Sequence, residues 1–128
     1  MCGDFDDHDR FDDELFERFI EMTGRFGVTP GQTDGNAPVQ LTEEATRAAY
    51  MKDLFKAGLT RSVNDAANLP HGEHMDALAG QAIVFARLAG FLAGQFPPQT
   101  DLFRTVSGAL LDGHSEPASL SQQHLLSG

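Results

Sequence analysis

The chain has 128 residues, 41% of them hydrophobic and 22% charged, with a formal net charge of −10. That is about one domain's worth of chain with ordinary globular usage. Collagen-like, disulfide-rich and wholly disordered classes are excluded, and the single cysteine, Cys2, rules out an intramolecular disulfide.

The charge is lopsided. Residues 1–21 carry nine acids (Asp4, Asp6, Asp7, Asp9, Asp12, Asp13, Glu14, Glu17, Glu21) against Arg10 and Arg18, a net −7. The remaining residues carry ten acids and seven bases, a net −3. An acidic segment of this kind repels phosphate backbones and favours basic partners. MCGDFDDHDR has neither a basic nor an apolar leader region, so no secretory signal is expected and the location is read as cytoplasmic. Residues 1–10 read as a frayed acidic arm with an inert Cys2.

From Phe11 the pattern is helical. At 100° per residue, Phe11, Leu15, Phe19, Met22 and Phe26 share one narrow sector, and Asp13, Glu14, Glu17, Arg18, Glu21 and Arg25 fill the opposite side. GVTPGQTDGNAPVQ (27–40) has no period and reads as a long connection. Thr42 is the expected N-cap of a second helix running to about Ala57, with Gly58 as its left-handed stop. A short helix, roughly Thr60–Asn68, is expected next.

Pro70 near its start and Pro97–Pro98 at its end bound the most apolar element, about residues 70–96. Between Ala77 and Phe96 the only charge is Arg87. Met75, Ala79, Ala82, Ala86, Ala89 and Ala93 alternate spacings of four and three, a heptad seam whose knobs are nearly all alanine. Small knobs allow two backbones to approach closely and stabilise through dispersion rather than bulk. The seam is assigned as an interface, between helices of one chain or between two copies, and a homodimer is expected. On the seam reading, Ala86→Leu should disrupt packing or change the oligomeric state, and Ala77→Leu should be milder.

The same twenty residues are long enough to span a bilayer. Their eight Leu, Ile, Val and Phe contribute roughly −2.4 to −4.8 kcal/mol to insertion, and a central arginine costs about 2.5 to 3.5 kcal/mol. The balance is near zero before Gln81, Gln95 and the glycines are counted, so membrane insertion is not expected. Thr100 is the expected cap of a last helix, Asp101–Asp112, followed by a weakly ordered tail over 114–128. The sequence is therefore read as all-α, a small bundle of four main helices around a central alanine- and glycine-rich helix, with one domain over 11–113.

Catalytic motifs are absent: there is no phosphate-binding glycine loop, no GxSxG and no HExxH. The residue three before each histidine is never Glu, which excludes the paired Glu-x-x-His steps of carboxylate-bridged di-iron bundles. No catalytic residue is assigned. His71 and His74, three apart at the start of the central helix, are the one pair with metal-ligand spacing. Zinc needs three or four ligands, so a zinc or iron site there requires more from Asp76, His114 or a second subunit. His8 among aspartates misses the EF-hand pattern, lacking its glycine and twelfth-position glutamate. KDLFKAGLTRSVNDAANL (52–69) has the outline of a helix-turn-helix with its turn at Gly58, but only Lys52, Lys56 and Arg61 would meet phosphate and the net charge opposes nucleic acid. The reading that remains is a protein–protein interaction or regulatory module without chemistry of its own, with itself and a basic protein partner for residues 4–21 as binding partners. A helical metal-binding protein or enzyme using His71 and His74, and a DNA-binding regulator, are the alternatives.

Overall fold

The computed structural model describes the backbone of residues 3–31 and 40–127 and the side chains of 11–31 and 40–122. Cys2, the side chain of His8 and most of the 27–40 connection lie outside those residues. The fold is all-α, as the periodicity predicts. α1 spans Gly3–Gly24, α2 Glu44–Ala67, α3 His74–Ala93 and α4 Leu102–Ser127, with no strand among the described residues. The chain divides into two compact units. The first joins Met1–Gly27 to Ala86–Gly128, and the second is Val28–Phe85.

Several boundaries differ from expectation, each for a local reason. α1 begins at Gly3, not near Phe11, so the segment expected to fray is helical from its third residue. Thr42 does not cap α2. Glu43 holds the cap position without a side-chain hydrogen bond, and the Arg47 guanidinium donates to the carbonyls of Leu41 and Thr42 at 3.2 and 3.4 Å.

The largest correction concerns Gly58. α2 runs through it without a break, so there is no left-handed stop, no separate Thr60–Asn68 helix and no turn for a helix-turn-helix. Glycine weakens a helix interior by roughly 1 kcal/mol relative to alanine but does not end it when the flanking turns are good helix formers. A Cβ built at Gly58 meets nothing within 4 Å. Gly58→Ala should therefore raise stability by about 0.5–1 kcal/mol, read from chemical denaturation. A residue acting as a left-handed stop would instead lose stability on the same change.

The turn between α2 and α3 is made at Gly72, whose φ of +99° favours glycine. It lets the two helices fold back on each other. Ser62 and Ala66 of α2 are buried there, the only buried residues among those described. Gln81 donates from Nε2 to the Ser62 carbonyl at 3.2 Å. The stripe Met51–Phe55–Leu59 continues the same side of α2 away from the turn but is uncovered, at 61, 66 and 52% exposure.

In the first unit, α1 lies against the end of α3. Phe91 is the hub: its ring sits 6.1 Å from Phe19, tilted, and 5.9 Å from Phe26, edge to face. Gly94–Phe96 close α3 in a tight turn, a 3-10 turn follows over Pro98–Thr100, and Asp101 at φ +53° leads into α4. Thr100 is not a cap, because its hydroxyl donates back to the Pro97 carbonyl at 2.8 Å. α4 continues through Pro117 to Ser127, so the expected weak tail is helical. Proline there leaves the Gly113 carbonyl without its i+4 amide donor.

Candidate functional site

The structure brings His71 and His74 side by side, with ring centroids 6.2 Å apart and planes at 75°. His71 lies in the turn before α3, and His74 is its first residue. The Nδ1 of His74 is 2.7 Å from the Ala66 carbonyl. A carbonyl only accepts, so this contact places a proton on Nδ1. A backbone carbonyl behind Nδ1 is the support that metal-bound imidazoles commonly have. Among the described residues, no third His, Cys, Asp or Glu joins the pair.

The alanine seam is split in its surroundings. Met75, Ala79, Ala82 and Ala86 are exposed, whereas Ala89 and Ala93 are half-buried. The face of α3 turned to α2 is a different one, carrying His74, Ala77 and Gln81. Leucine at the half-buried Ala77 would crowd α2, whereas leucine at Ala86 meets open space. α3 is also long and apolar enough to cross a membrane by length and composition, and none of its apolar window is buried.

A third feature was not legible as a site. In the first unit, Leu15, Phe16 and Phe19 of α1 and Leu92 of α3 with Phe96 form an apolar cleft of about 220 Å³. Two polar residues line it, Asp12 and Gln95. Gln95 donates from Nε2 to the Phe91 carbonyl at 3.0 Å, which fixes its amide. Its Oε1 is shielded from solvent and has no hydrogen-bond partner among the described residues, which is unfavourable for a polar acceptor. The only sequence signal was the interruption of an apolar run by Gln95, which reads as a polar residue near a helix end. Its significance depends on α1 packing over it.

Comparison of the chain with protein-family models, with curated proteins and with solved structures finds no match.

Proposed function

We propose that this chain is a self-associating helical module that works by binding other protein surfaces, with the acidic side of α1 reserved for a basic partner. The observation that carries the reading is the state of its apolar side chains. Only Ser62 and Ala66 are buried among the described residues, and no large side chain is fully buried. Among the described residues, twenty-four large apolar side chains are exposed, including Met75, Ile83, Val84, Phe85 and Leu88 along α3. Exposed apolar side chains in this number support a chain that is covered by a partner. Small knobs at Ala79, Ala82 and Ala86 suit a closely approaching helix of a second copy. Lipid is the competing cover for α3, but Arg87 lies within the apolar run and Gln81 is held to α2, which carries Lys52, Lys56 and Arg61.

The test is the native mass of detergent-free protein, purified without chelator, against its denatured mass. Twice the chain mass is the expected result. A monomer at every concentration overturns self-association. The metal reading has one observation in its favour, the His74 tautomer fixed by Ala66. It predicts an excess mass matching zinc or iron that disappears in a His71→Ala, His74→Ala double variant.

A further inference from the structure

We infer that His71 and His74 are one half of a zinc site, and that the same two residues of a second copy complete it; the inference rests on the self-association and the metal reading proposed above.

Donor chemistry comes first. Imidazole nitrogen is a borderline ligand that suits zinc and its neighbours among the divalent transition ions. The Ala66 carbonyl engages Nδ1 of His74 at 2.7 Å, so Nε2 is the atom of that ring left to ligate. Two imidazoles bonded to one tetrahedral ion at about 2.0–2.1 Å hold their ring centroids roughly 5 Å apart. Those of His71 and His74 are 6.2 Å apart. His71 is exposed and stands in the turn outside α3, so rotation of its side chain closes the difference without moving the helix.

Two ligands do not make a closed zinc site, which takes four. Among the described residues, no further His, Cys, Asp or Glu joins the pair. Every residue of the half-site lies within 66–76, inside the unit Val28–Phe85. Residues 67–73 are all exposed, so the turn that carries His71 is open to approach by another molecule. A two-fold axis through the ion brings a second pair with the same spacing, and a contact of that symmetry closes on itself. Four imidazoles then meet the tetrahedral preference of the ion.

Charge fits the same arrangement. Four neutral imidazoles leave the double positive charge of the ion uncompensated, and the positive end of each α3 dipole adds to it. Glu73 stands one residue before His74 and Asp76 two after it, and both are exposed. Two copies supply four such carboxylates beside the ion, which offset its charge and the dipoles together.

The experiment is sedimentation equilibrium of the full-length chain, first stripped of metal by a chelator and then titrated with zinc alone. Stripping should weaken the dimer at least tenfold, and zinc should restore it at one ion per two chains. His71→Ala should abolish the response to zinc with helical circular dichroism unchanged, because His71 is exposed and outside α3. One ion bound per chain with no change in mass would overturn completion by a second copy. A zinc-driven dimer that persists in His71→Ala would place the ligands elsewhere and overturn the inference as well. A dimer indifferent to chelator and zinc would overturn it and leave self-association standing. A chain that stays monomeric with and without zinc would overturn both readings.

Discussion

Phe91→Ala is expected to lower the stability of the chain by about 2–3 kcal/mol, a drop in melting temperature of roughly 5–10 °C for a domain of this size. The basis is the position of one ring between two others. Phe19 belongs to α1 and Phe26 to the turn that closes it, and both meet Phe91. Removing the ring forfeits its own burial and two aromatic contacts worth about 0.5–1.5 kcal/mol each. Phe91 is half-buried, which places the loss below the about 3–5 kcal/mol of a fully enclosed phenylalanine. Phe11→Ala is the control. Phe11 lies on the same predicted stripe but is 52% exposed, and its loss should cost under about 1 kcal/mol. Equal melting temperatures for the two variants would contradict the docking of α1 on the end of α3.

The second large effect separates packing within a chain from packing between chains. Ala86→Leu should leave the melting of the isolated chain within about 0.5 kcal/mol of wild type, as exposed substitutions usually do. The same change at a close helix–helix contact costs about 1–3 kcal/mol through overpacking, so the dimer should weaken roughly tenfold or more. Ala77→Leu should do the reverse. Ala77 is half-buried on the side of α3 that carries His74 and Gln81, so the added bulk strains the turn-side packing on α2 and leaves the native mass unchanged. Thermal melts at low concentration together with native masses distinguish the two. If Ala86→Leu lowers the melting temperature of the monomer and Ala77→Leu halves the native mass, the assignment of faces is inverted.

Helical class was legible because it depends on periodicity, and α1 and α3 carry strong periods. Boundaries were less legible because they depend on competition between weak local terms. At Gly58 a penalty of roughly 1 kcal/mol was outweighed by the helix-forming turns on either side. Thr42 and Thr100 are good caps by residue type, yet Arg47 occupies the Thr42 carbonyl and the Thr100 hydroxyl is engaged with Pro97. The last helix was expected to end at Asp112, but α4 continues through Pro117, and the Ser115 hydroxyl donates to the carbonyls of Leu111 and Asp112 just before it. The His71–His74 proximity followed from spacing alone. The tautomer of His74 did not, since Ala66 lies eight residues earlier and is brought there by the turn at Gly72. The Gln95 cleft was hidden for the same reason, because its lid is α1, about eighty residues away in sequence.

Burial confined to Ser62 and Ala66 has a consequence for the protein in a cell. On the self-association proposed above, the folded fraction would follow the chain's own concentration. Unpaired chains expose Phe55, Ile83 and Leu111, which chaperones and proteases recognise. Expression level would then set lifetime as well as amount, and halving synthesis would reduce the standing pool by more than half.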